Sequence, residues 1–117
     1  MTLLPHRWHV YVVDLQPRIG TKTGKQRSCL AVQSDELAEA GLASTVVLPL
    51  TTRATEGDAF PLWVRGPKGT VGVDCDSDLL VDQLFAWDYA LFRREIGVLL
   101  EALRADVQVA LREFLDL

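Results

Sequence analysis

The chain has 117 residues, 49% hydrophobic and 24% charged, which excludes a disordered tail and predicts one folded domain spanning 1–117. No apolar run approaches the roughly 20 residues a membrane-crossing helix needs. Met1 to Leu15 lack the basic, apolar and small-residue succession of a signal peptide, so a cytoplasmic location is expected. Net charge is −4, the wrong sign for a nucleic-acid binder until it is divided along the chain. Residues 1–34 carry Arg7, Arg18, Lys22, Lys25 and Arg27 against Asp14 alone, a net of +4, and the remainder carries −8. Phosphate responds to the local field, so a basic loop can serve an acidic protein. A basic loop can equally be no more than a solvated one.

Val10 to Leu15 is β-branched and aromatic, closes at Pro17 and predicts a first strand. Gln16 to Gln26, with two glycines and a proline, predicts a long exposed loop, and Cys29 to Gln33 a second strand. Ser34 is placed to cap a short helix with acidic residues in its first turn, ended at Gly41. Thr45 to Leu50 is a nearly continuous apolar strand, buried if the pattern is literal. Phe60 to Val64 and Val71 to Val73 predict strands around a Gly66-Pro67-Lys68-Gly69 turn, and Leu79 to Leu84 a last strand. A short helical piece is expected over Tyr89 to Glu95. The stripe Ile96, Leu99, Leu100, Leu103, Val107, Ala110, Leu111, Phe114 and Leu115 then predicts an amphipathic helix whose apolar face is core. A small β-barrel with helices at its side and end satisfies these elements.

Most ready-made chemistry fails on inspection. Asp74-Cys75-Asp76-Ser77-Asp78 imitates a calcium loop, but positions six and twelve hold Leu79 and Phe85 instead of glycine and glutamate, leaving an acidic turn before a strand. His6 and His9 lack further metal ligands nearby and read as surface or half-buried residues. Cys29 and Cys75 sit in unrelated contexts and are expected to be reduced, with Cys29 a small buried hydrophobe. No phosphate cradle, serine-hydrolase or cysteine–histidine signature is present. Arg27 and the hydroxyl of Thr51 remain. A guanidinium suits the spread charge of a phosphate better than an ammonium does, and its high pKa fits it for electrostatic stabilisation rather than base work. Arginine followed by threonine is a weak signal alone.

Five blocks in order resemble the MazF/PemK family of toxin endoribonucleases, over nearly the whole chain. Arg7-Trp8-His9-Val10-Tyr11-Val12-Val13-Asp14-Leu15-Gln16-Pro17 resembles R-G-D-V-Y-W-V-D-L-x-P, and Gly20-Thr21-Lys22-Thr23-Gly24-Lys25-Gln26-Arg27 resembles the loop G-S-E-Q-G-G-x-R. Leu30 to Asp35 resembles the strand and turn that follow, and Val47-Leu48-Pro49-Leu50-Thr51-Thr52 resembles V-x-P-x-T-[TS]. Asp76 to Asp88 matches D-S-x-x-L-x-D-Q-x-R-T-x-D at Asp76, Ser77, Leu80, Asp82, Gln83 and Asp88.

The resemblance implies an SH3-like antiparallel β-barrel of the CcdB/PemK type with a C-terminal amphipathic helix, acting as a homodimer. It implies metal-independent, cofactor-free cleavage of single-stranded mRNA, leaving a 2′,3′-cyclic phosphate and a 5′-hydroxyl. It also implies neutralisation by a separate MazE-like antitoxin chain. Arg27 and Thr51 map to the catalytic pair, with Lys22, Thr23, Lys25, Thr52 and Gln83 as RNA-binding candidates. The chain departs from the pattern at Ser28 (usually proline), at Trp8-His9 (usually Gly-Asp) and at Phe85 (usually arginine). Phe85 and Trp87 are expected to pack at the dimer interface rather than to stack on bases. Two alternatives share the fold: a topoisomerase-binding toxin like CcdB, and a non-catalytic RNA- or peptide-binding barrel. The first depends on a Trp-Gly-Ile-like C-terminus, whereas this chain ends Phe114-Leu115-Asp116-Leu117.

Overall fold

The computed structural model describes residues 4–16, 25–51, 62–67 and 76–117. Seven strands form an antiparallel sheet: β1 His9–Gln16, β2 Lys25–Ala31, β3 Ser44–Thr51, β4 Val64–Gly66, β5 Ser77–Leu79, β6 Phe85–Asp88 and β7 Phe92–Val98. A short helix, α1 (Asp35–Glu39), joins β2 to β3, and α2 (Glu101–Leu115) follows β7. The strand order is β4-β5-β3-β2-β1-β7, with β6 paired to the start of β3. Among the described residues β4 and β7 do not meet, so the curved sheet is a barrel only loosely.

Strand alternation divides the apolar residues between the two faces of the sheet. Val10, Leu30, Leu48, Leu50, Val64 and Leu79 turn to one face, where Leu99, Val107 and Ala110 cover them. Tyr11, Val13, Cys29, Ala31 and Val47 turn to the other, packed with Phe92 and rimmed by Leu15, Phe85 and Trp87. The Trp87 indole N–H donates to the Asp14 carbonyl at 2.8 Å, drawing β6 across this face to β1.

Trp8 sits in the left-handed region, with φ 73°, where a bulky side chain costs about 1–2 kcal/mol. Two backbone hydrogen bonds hold it there: its N–H donates to the Ala31 carbonyl at 2.7 Å, and its carbonyl accepts from Leu99 N–H at 2.8 Å. Its ring is buried in the core under α2, and burying an indole offsets the strain. Gly41, at φ 100°, ends α1 as the sequence predicts: its N–H and that of Leu42 return to the carbonyls of Ala38 and Leu37.

Three expectations are corrected. Leu79 to Leu84 is not a last strand: β5 stops at Leu79 and a 3₁₀ turn occupies Val81–Gln83. Tyr89 to Glu95 is not a helical piece beyond the 3₁₀ turn Tyr89–Leu91, because Phe92–Val98 pairs with β1. Ile96 therefore belongs to β7, and the stripe of α2 begins after Leu100. Helical spacing lost to the edge hydrogen bonds that β1 offers, since tertiary pairing overrides local periodicity. The predicted apolar face is only partly core: Phe114 and Leu115 are 41% and 47% exposed. The predicted strand Val71 to Val73 and the start of Phe60 to Val64 lie outside the described residues.

Candidate active site

Arg27 lies on β2, half-buried, two residues before the buried Cys29 and so on the same face. The β2–β3 ladder pairs Ala31 with Val47, Leu30 with Leu48 and Cys29 with Pro49. The paired positions stop there, two residues short of Arg27 on β2 and of Thr51 on β3. The Arg27 side chain leans across the gap, its Nε–H donating to the Leu50 carbonyl at 3.3 Å. The guanidinium is thereby tethered at the residue before Thr51. Lys25 is exposed and shares the Arg27 face of β2.

Thr51 ends β3 and is paired on its other side with Asp78 of β5, which pairs in turn with Arg65 of β4. Asp78 is completely buried and holds Arg65 through two bonds, Nε to Oδ1 at 2.8 Å and a terminal nitrogen to Oδ2 at 3.3 Å. One cross-strand row thus runs Thr51, Asp78, Arg65. Of the acidic turn expected before a strand, Asp78 instead lies within β5, fully buried. Sequence reasoning missed the pair, because thirteen positions separate Arg65 from Asp78 and no local pattern links them.

Cys29 lies two residues from Arg27 on β2. Burial pushes its thiol up to about 12, with the Arg27 charge opposing only weakly, so it acts as a packed hydrophobe and not as a nucleophile. His6 is exposed and faces Asp35 at 3.8 Å, while His9 is half-buried and bonds Glu95, in line with the surface or half-buried positions expected of them. Gln83 is exposed in the 3₁₀ turn after β5. Lys22, Thr23 and Thr52 lie outside the described residues. Phe85 and Trp87 are half-buried and meet edge to face at 5.7 Å on the face that carries Arg27.

The family model of the "PemK-like, MazF-like toxin of type II toxin-antitoxin system" matches residues 6–115. Endoribonuclease MazF6 of Mycobacterium tuberculosis is 31% identical over 111 residues, covering 95% of this chain and 96% of that protein. In fold, the chain is similar to the MazE–MazF crystal structure from Deinococcus radiodurans, with a TM-score of 0.79, 21% identity and coverage of 98% of each chain. It is also similar to an endoribonuclease in complex with its cognate antitoxin from a mycobacterial species, with a TM-score of 0.76, 20% identity and coverage of 97% of this chain and 96% of that one. With a match from the pre-strand turn to the end of α2, and a relative above 30% identity across the chain, the protein belongs to the PemK-like, MazF-like toxins of type II toxin–antitoxin systems.

Proposed function

We propose that this chain is the toxin of such a system and an endoribonuclease that cleaves single-stranded mRNA without a metal or cofactor. The ribose 2′-hydroxyl gives up its proton to solvent as its oxygen attacks the adjacent phosphorus, and the bond to the 5′-oxygen breaks. The products are a 2′,3′-cyclic phosphate and a 5′-hydroxyl. With an internal nucleophile, the protein has two tasks: aligning the phosphate and stabilising charge on the pentacoordinate oxygens. Arg27 takes the charge and donates a proton to the leaving oxygen, regaining one from solvent. Thr51 donates a hydrogen bond that positions a phosphate oxygen. Lys25 adds local positive potential, and Lys22, Thr23, Thr52 and Gln83 complete the RNA-binding set. The toxin acts as a homodimer of one 117-residue domain in the cytoplasm, restrained by a MazE-like antitoxin. No helix among the described residues is long and apolar enough to cross a membrane.

The observation that carries the reading is the guanidinium of Arg27 tethered at the Leu50 carbonyl, one residue before the strand-end hydroxyl of Thr51. The test is an RNA oligonucleotide containing one cut site, compared with the same strand bearing a single 2′-deoxyribose 5′ to the scissile phosphate. Cleavage of the first and complete resistance of the second is expected. Equal cleavage of both would remove the 2′-oxygen as nucleophile and with it the roles given to Arg27 and Thr51.

A further inference from the structure

β6 carries two aromatic side chains on the face of Arg27 that the proposed cleavage does not use. Strand alternation turns Phe85 and Trp87 to that face and leaves Ala86 and Asp88 exposed on the other. Phe85 stands opposite Val47 and Trp87 opposite Thr45 on β3, and the Asp88 carboxylate accepts from Ala90 N–H at 2.8 Å, fixing the turn that follows. The Trp87 indole donates its single N–H to the Asp14 carbonyl, one residue from Val13, the cross-strand partner of Arg27. The Asp14 carboxylate is itself held by Arg93 at 2.9 Å.

Both rings are half-buried, so each keeps part of its surface open on the arginine's face. They meet at 83° with centres 5.7 Å apart, an edge-to-face contact that fixes each ring against the other. With its N–H engaged, Trp87 has no donor left to read a base edge, and Phe85 has none at all. The pair offers a fixed π surface on a face that also carries a guanidinium and, at Lys25, an exposed ammonium. Aromatic rings beside fixed positive charge suit a single strand, whose bases stack while its phosphates meet the cations. A second copy of the chain seated on the rings would desolvate the charge of Arg27 as well, a cost the apolar contact must first offset.

We propose that Phe85 and Trp87 form a stacking platform for a nucleobase flanking the scissile phosphate, setting the affinity and register of the RNA without taking part in bond cleavage. The proposal rests on the reading of Arg27 as the RNA site. A platform without a free donor recognises ring area rather than base edges, so it accepts every base and responds to the absence of one.

The test uses an oligonucleotide with one cut site, blocked by a 2′-deoxyribose 5′ to the scissile phosphate, so that fluorescence anisotropy reads binding without cleavage. In a companion series each nucleotide around the site is replaced in turn by an abasic one. One abasic position should weaken binding to the wild type by about 5- to 150-fold. Phe85→Leu, which keeps an apolar side chain and removes the flat ring, should weaken the intact strand by at least about fivefold and lose no more at that abasic position. Phe85→Tyr should bind as the wild type does. On the unblocked strand at saturation, single-turnover cleavage by Phe85→Leu should run at the wild-type rate. Phe85→Met carries the same expectations and replaces Phe85→Leu if circular dichroism shows that variant unfolded. Unchanged affinity on loss of the ring overturns the proposal, as do losses from variant and abasic site that simply add, or an abasic series with no sensitive position. A change of oligomeric state in Phe85→Leu, seen by sedimentation, would assign the rings to a second copy of the chain and overturn it too. Binding of the blocked strand that depends on Phe85, in a protein that cuts no RNA, would sink the nuclease reading and leave the platform standing.

Discussion

Arg27 and Cys29 stand two residues apart on one face of β2, yet their surroundings give them opposite chemistry. The arginine is half-buried and tethered by Leu50, and in the proposed reaction its charge meets the scissile phosphate. Arg27→Ala should lower cleavage by at least about 10²-fold, the usual loss on removing a preorganised donor at a charged transition state, with the melting temperature little changed. Thr51→Ala should cost about 0.5–1.5 kcal/mol, roughly 2- to 12-fold in rate, and Thr51→Ser should restore most of it; single-turnover kinetics on a defined oligonucleotide measure both. Cys29 and Tyr11 govern the alkaline limit instead. Burial raises both folded-state pKa values to about 12, from 9.0 and 10.0. Both groups are neutral when protonated, so the stability they contribute is fully present below about pH 9 and is lost as pH rises from 9 to 12. Cys29→Ala should move the midpoint of alkaline unfolding, followed by circular dichroism, to higher pH. A midpoint unchanged or lowered would contradict this.

At the scale of elements, the ends of β3, β5 and β4 are fixed by the Arg65–Asp78 pair, whose carboxylate is fully buried. Removing one partner strands a buried charge, so Arg65→Met should destabilise by about 3–5 kcal/mol, whereas Arg65→Met with Asp78→Leu should recover most of the loss. Chemical denaturation of the three proteins checks it, and equal stability of both variants would contradict the account. Such a pair is invisible to a sequence reading, and so was the fate of residues 92–98. Their local spacing suits a helix, but the free edge of β1 takes them as a strand. Elements whose signals are local were legible: β1, the Ser34 cap, the Gly41 stop and the apolar β3. Arg27 and Thr51 were legible through their motif blocks, but the bond that ties Arg27 to Leu50, beside Thr51, depends on the pairing of β2 with β3, which no local pattern encodes.

Across the whole molecule, net positive charge is confined to residues 1–34 of an acidic chain. RNA binding should therefore weaken as salt rises, each neutralised phosphate adding about −0.7 to the slope of log affinity against log salt. Lys25→Ala, at an exposed position on the Arg27 face, should flatten that slope by about this amount per site; an unchanged slope would place Lys25 outside the RNA path. The central claim is that Arg27 drives metal-free cleavage of RNA. Its most direct test is incubation of the purified protein and of Arg27→Ala with a long single-stranded RNA in EDTA, with cut sites mapped by primer extension and the ends identified. The account predicts discrete EDTA-resistant cuts with 5′-hydroxyl ends for the wild type and none for the variant. Cuts of equal intensity from both proteins, or cuts abolished by EDTA, would contradict it.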